Sequence, residues 1–259
     1  MTTATDLAIG SETTPWRPVA IAALAGAIAT GGVLSALTAA GSLRLTTPIL
    51  GSVVGVLFLY TLIVAAATSS ATRTAGQQRL TLATWVTLVR GWLLISFVGV
   101  VVGSVETAVP WLAVGLFVGS AVCDAADGWI ARRTDTVSAL GARLDTETDA
   151  LLVLVGTVTV VGIDAVPVVF LAVGIARYGF ITGTALRRAR GKPVFDLEPS
   201  RFRQFTGGTI MATITIGLLP PVDPAISRVV AWIVTVPILA HFVWDWLAVS
   251  GRLHWLGVE

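Results

Sequence analysis

Long apolar runs separated by short polar turns leave this chain few folds to choose from. Of its 259 residues, 55% are hydrophobic and only 12% charged, and the mean hydropathy is +0.86. A soluble domain carries about 25% charged residues, whereas a helix of roughly 20 apolar residues crosses the hydrocarbon layer of a bilayer. The pattern predicts an all-α integral membrane protein with spans over 18–41, 48–70, 84–104, 108–131, 140–163, 165–187, 203–220 and 226–249. Its breaks are SLRLTTP, SSATRTAGQQR, the residues before Pro110, IDAVP, the basic loop RRARGKPVFDLEPSRFR, and PPVDP. Residues 77–88 read as a short amphipathic helix lying on the membrane surface ahead of the third span. The principal boundary is placed in SSATRTAGQQR, which separates 1–75, a tail with a two-helix membrane extension, from 76–259. The segment before Arg17 has no basic residue and lacks the charged region of a signal peptide, so it reads as a short disordered tail. Cys123 is the single cysteine, which leaves no intrachain disulfide.

Arg and Lys set the expected orientation. With alternating spans, Arg17, Arg73, Arg79, Arg132, Arg133, Arg143, Arg187, Arg188, Arg190, Lys192, Arg201, Arg203 and Arg252 fall on one side, and Arg44 and Arg228 on the other. The rich side is expected to be cytoplasmic, with both termini there, in a multi-pass protein of the cell membrane.

Against this apolar background stands DAADGWIARRTDTVSALGARLDTETD. Asp124 and Asp127 are three residues apart, and Asp145 and Asp149 four, so each pair shares a helix face. Two such helices side by side aim four carboxylates into one gap, where they repel one another unless a cation sits among them. Hard divalent ions take oxygen ligands, so the four acids read as a metal site. Gly128 and Gly141 remove side chains beside the acids and let a ligand approach the backbone. Arg132 lies close enough to meet a phosphate. Glu147, about 200° around the helix from Asp145, is expected to face elsewhere.

The spacing D-x2-D-G-x2-A-R-x8-G-x3-D-x3-D, filled by Asp124, Asp127, Gly128, Ala131, Arg132, Gly141, Asp145 and Asp149, resembles the signature of the CDP-alcohol phosphatidyltransferases. TLATWVTLVRGWLL is similar to that family's Thr-rich entry into its first core helix, which carries an Arg. The resemblance implies a six-helix catalytic core preceded here by two extra N-terminal transmembrane helices. It further implies transfer of a phosphatidyl-type group from a CDP-linked lipid to a hydroxyl of a small alcohol acceptor, with release of CMP. In that family the last Asp serves as base, which here is Asp149, and two Mg2+ or Mn2+ ions are held by Asp124, Asp127, Asp145 and Asp149. Gly128, Ala131, Arg132 and Gly141 would line the cytidine and phosphate pocket. Arg177, Ser200 and Arg203, with Thr206, stand at positions that meet the acceptor, although Arg203 replaces the usual lysine. A homodimer is the family default, and no nucleic-acid partner is implied.

Other polar residues in the spans have independent readings. Arg177, within GIARYGF, needs a partner or a watery cavity if it is to sit in a membrane helix. Arg90 is read either as snorkelling to the inner surface or as a functional residue within its span. His241 and Asp245, four apart, share a face and read as a pair hydrogen-bonded to each other near the interface rather than a proton-handling pair. Two rival functions have other requirements. An intramembrane prenyltransferase places its acidic motifs far apart in sequence, and a cation-coupled transporter or channel holds its acids at the bilayer midplane.

Overall fold

The computed structural model describes residues 16–41, 46–75, 82–103, 109–134, 139–195, 197 and 201–252. Among these it is all helical, with α1 (Trp16–Ala39), α2 (Thr47–Ala75), α3 (Leu82–Gly103), α4 (Val109–Thr134), α5 (Ala139–Gly162), a 3-10 turn at Val168–Phe170, α6 (Leu171–Ala189), α7 (Arg201–Leu218) and α8 (Pro224–Val249). Four segments are long and apolar enough to cross a membrane: Thr47–Ala67, Trp85–Gly103, Val168–Ala189 and Pro224–Val249. Shorter apolar stretches lie in α1, α4 and α7. The protein is an all-α membrane protein.

The bundle is apolar on its rim as well as in its core. Ile28, Val54 and Phe58 of the first two helices, and Val229, Ile233 and Val236 of α8, are large apolar side chains left exposed. Thr30, Thr87, Ser96, Thr157 and Thr235 are buried. In water such a surface would be an aggregation hazard. In lipid it is the solvated face, and buried hydroxyls find partners inside. Thr235 donates to the carbonyl of Ala231 at 2.6 Å, and Ser227 to that of Ala165 at 2.9 Å.

Helix α3 is the centre of the packing, touching α1, α2, α4 and α5. Close approach there depends on small residues, as is usual between helices in lipid. The Tyr60 ring of α2 lies directly across Gly91 of α3, where a Cβ would overlap it. Trp92 of α3 lies 2.7 Å from where a Cβ of Gly26 in α1 would stand. The Tyr60 hydroxyl donates to the Thr87 carbonyl at 3.3 Å. A second packing group is formed by α5, α6, α7 and α8. At the end of α8 that carries its N-terminus, Asp223 caps the helix by accepting from the Ala225 N–H at 2.7 Å, with Pro224 at the first helical position. Arg228 there pairs with Asp164 at 2.7 Å and ties down the α5–α6 turn.

Three sequence expectations need correction. Residues 82–88 do not form a separate surface helix. They are the first two turns of α3, with Thr87 and Leu88 buried, while 76–81 lie outside the described residues. The second helix runs to Ala75 rather than stopping at 70, because ATSSATRTA offers no Gly or Pro to end it. Arg90 does not snorkel, as its surroundings make plain below.

Candidate active site

Contacts bring the starts of α3, α5 and α7 and the ends of α4, α6 and α8 to one end of the bundle: Arg90 meets Asp124 and Asp145, Arg187 meets the Ser250 carbonyl, and Phe202 meets His241. Asp124 lies in the second half of α4, Asp145 and Asp149 in the first half of α5, and Arg90 in the first half of α3. All four therefore meet at that end. One carboxylate oxygen from each of Asp124, Asp145 and Asp149 lies within 4.8 Å of the others. Spacing alone placed the two acids of α5 on one face, and the packing of α3 between α4 and α5 brings Asp124 to them.

At the centre of this trio is Arg90. Its side chain is 0% exposed, whereas the three acids are between 34% and 38% exposed. Nη1 donates to Asp124 Oδ1 at 2.8 Å and to Asp145 Oδ1 at 2.6 Å, and Nη2 donates to Asp149 Oδ1. The guanidinium cannot lose its proton under ordinary conditions, and its rigid fork suits several carboxylates at once. The snorkelling expectation failed because a lone Arg in an apolar run says nothing about where its helix faces. The available signal was the match to the Thr-rich family entry, which includes an Arg.

The other side of Asp149 is open. It forms part of the wall of a cavity of about 410 Å3 between α5, α6, α7 and α8. Arg177, Thr146, Thr206, His241 and Asp245 also line this cavity, in a mainly apolar wall that includes Val153, Val173 and Met211. The Nε atoms of Arg177 and the Nε2 of His241 are buried without a hydrogen-bond partner among the described residues. His241 Nε2 stands 3.6 Å from Asp245 Oδ2, beyond hydrogen-bond distance. The expectation that the two bond to each other is thus corrected: packing of Phe202 against the imidazole, at 4.7 Å between ring centroids, and the cavity set its position. Trp246 packs where a Cβ on Gly183 of α6 would come within 2.6 Å, which brings α8 against α6 and turns His241 inward.

Several predicted site residues lie outside this description. The side chains of Asp127, Gly128, Ala131, Arg132, Gly141 and Arg203 are outside the described residues, as is the whole of Ser200. Glu147 is not part of the acid trio.

The profile of the CDP-alcohol phosphatidyltransferases matches residues 80–244, well over half of the chain. The chain belongs to the CDP-alcohol phosphatidyltransferase family. Membership brings transfer of a phosphatidyl group from a CDP-alcohol to an acceptor, and use of a divalent metal. A comparison with curated proteins finds no match. The donor chemistry of the trio fits such an ion. All three ligands are carboxylate oxygens, the choice of Mg2+ and Mn2+. They already converge on one positive group, Arg90. With the acids ionised, three negative charges against one positive leave a surplus of two, which a divalent ion balances.

Proposed function

We propose that this protein transfers the lipid-bearing phosphoryl group of a CDP-linked lipid to the hydroxyl of a small alcohol seated in the α5–α8 cavity, releasing CMP. The observation that carries this reading is the double position of Asp149, which belongs both to the acid trio and to the cavity wall. An acceptor in the cavity places its hydroxyl beside the one carboxylate that also faces the donor's pyrophosphate. Asp149 takes the hydroxyl proton as the oxygen bonds to the lipid-side phosphorus, and the bond from that phosphorus to the CMP oxygen breaks. The acceptor is held in position by the cavity, which supplies the usual gain from proximity.

Asp124, Asp145 and Asp149 would hold one divalent ion, and Asp127 would join them for a second. Bound there, such ions neutralise pyrophosphate charge and favour in-line displacement. Gly128, Ala131, Arg132 and Gly141 are assigned to the cytidine and phosphate pocket on the resemblance of their spacing. On the acceptor side Arg177 is the principal contact. A cation whose Nε is buried without a partner in an apolar wall suits an anionic group on the acceptor. Ser200 and Arg203 are assigned to the acceptor on the resemblance of their positions alone, and Thr206 lies in the cavity wall.

The site end of the bundle is assigned to the cytoplasm. Arg187 and Arg188 in the last turn of α6, with Arg190 and Lys192 just after it, lie there, and Arg228 lies at the opposite end. That orientation brings water-soluble acceptor and metal to the site while the donor's chains remain in lipid. It also keeps the acids near one membrane edge, where a transporter reading would want them midway. Residues 76–259 are assigned as the catalytic unit and 1–75 as its membrane extension.

The test is CMP release by the purified full-length chain from a labelled CDP-lipid, with a panel of small alcohols and either Mg2+ or Mn2+. Release that requires both an alcohol and the metal, and that stops on chelation, is the expected result. A folded protein that releases CMP equally well after Asp149→Asn would remove the base assignment. Failure to release CMP with any alcohol would defeat the reaction as stated.

A further inference from the structure

We propose that Arg90 is a built-in counter-cation of the acid trio, a positioning residue that holds Asp124, Asp145 and Asp149 together before any divalent ion arrives and then competes with that ion for their oxygens. The second half rests on the metal reading given above. The first half does not.

The geometry points to this role in three ways. First, Arg90 reaches all three acids with two nitrogens, so its charge is spent on this cluster and not on a lipid headgroup. Second, the trio needs a cation to exist. Carboxylate oxygens within 4.8 Å of one another, flanked by apolar helices, would move apart or take up protons if nothing positive stood between them. Third, the guanidinium has no route out. Leu88, Leu94 and Ile95 around it on α3 are buried, and the Tyr60 ring packs across the adjacent Gly91. A charge sealed in this way persists when metal enters, and its repulsion is built into the metal affinity.

Two consequences have opposite signs, which separates this role from ordinary packing. Without Arg90 the metal-free protein is less stable, because the acids lose their counter-charge. The same loss raises the affinity for a divalent ion, both by removing a neighbouring positive charge and by destabilising only the metal-free state. A residue that merely shapes the ligand set would lower both quantities when replaced.

The experiment uses the full-length protein in detergent and Mn2+ alone as probe. Thermal unfolding is recorded in chelator and across a Mn2+ titration for the parent, Arg90→Gln and Arg90→Lys. The expected result is a lower Tm for Arg90→Gln in chelator, with Mn2+ affinity raised at least about tenfold by the loss of a nearby charge, and Arg90→Lys between the two. Weaker Mn2+ binding by Arg90→Gln than by the parent overturns the competition. An unchanged Tm in chelator overturns the counter-cation role. If Arg90→Gln does not fold even with Mn2+, the Arg90→Gln/Asp145→Asn double variant decides. Removing one acid along with the Arg should restore folding in chelator, and failure to do so assigns Arg90 to packing. If the parent shows no response to Mn2+, the metal reading fails and the competition with it, while the chelator comparison still decides whether Arg90 holds the trio.

Discussion

The two flanks of the acid trio are built in opposite ways. On the α3 side, helices α1 and α2 pack against the glycines of α3 and leave Arg90 fully buried. Tyr60 lies across Gly91, Trp92 lies against Gly26, and Leu34 and Val53 press on Gly99. On the α6–α8 side a cavity of about 410 Å3 keeps Arg177 Nε and His241 Nε2 buried without hydrogen-bond partners among the described residues. One flank packs side chains closely against glycines, and the other leaves two buried nitrogens without hydrogen bonds among the described residues. The difference separates two tasks that a membrane transferase must combine. The closed flank holds the Arg90 charge fully buried, and the open flank is where the proposed acceptor would sit. Asp149 stands at the boundary and takes part in both.

Substitutions should break this contrast in graded fashion. The largest effect is expected at the boundary itself. Asp149→Asn should lower the rate of CMP release by at least about 10²–10⁴-fold, the usual range for losing a general base, and the rise in Tm given by Mn2+ should shrink, because one of the three carboxylates around the ion is lost. On the open flank, Arg177→Gln should raise the KM for the acceptor by about 10–100-fold, as expected for a charge-assisted hydrogen bond, and leave the KM for the CDP-lipid unchanged. A parallel rise in both constants would mean that the cavity is not a separate acceptor compartment. On the closed flank the readout changes from kinetics to stability. Gly91→Ala inserts a methyl into the Tyr60 ring and should cost about 1–3 kcal/mol or more by overpacking, measured as a fall in Tm. Adding Tyr60→Ala should recover part of that loss, and the acceptor KM of folded Gly91→Ala protein should not change. The smallest effect is expected on the lipid face. A Cβ at Gly55 meets nothing within 4 Å, so Gly55→Ala should stabilise the helix by about 0.5–1 kcal/mol without touching activity.

Much of the architecture could be read from the chain because lipid leaves only one way to satisfy a backbone in a single-chain span of this kind. Pro48 and Pro110 stand in the first turns of α2 and α4, and Pro224 opens α8, where a missing N–H costs nothing. The acids of α5 were legible because i and i+4 share a face. What could not be read was rotation about the helix axes. Arg90 is turned toward Asp124 of α4 and Asp145 and Asp149 of α5, and that preference is invisible until all three helices are together. His241 and Asp245 were correctly put on one face, but that this face meets a cavity depends on Trp246 fitting against Gly183 of another helix. The continuous start of α3 was missed for a similar reason, since a polar stretch with buried Thr87 looks amphipathic only as long as its neighbours are unknown.

The contact that α2 makes beside Arg90 has a meaning for how the chain is made. Synthesis proceeds from the N-terminus, so α1 and α2 reach the bilayer before α3, and α3 arrives before the acids of α4 and α5. An arginine entering lipid unaccompanied costs about 2.5–3.5 kcal/mol on insertion scales. A nascent chain that already presents Tyr60 of α2 can pack it against the adjacent Gly91 as α3 arrives, before the acids that pair with Arg90 have emerged.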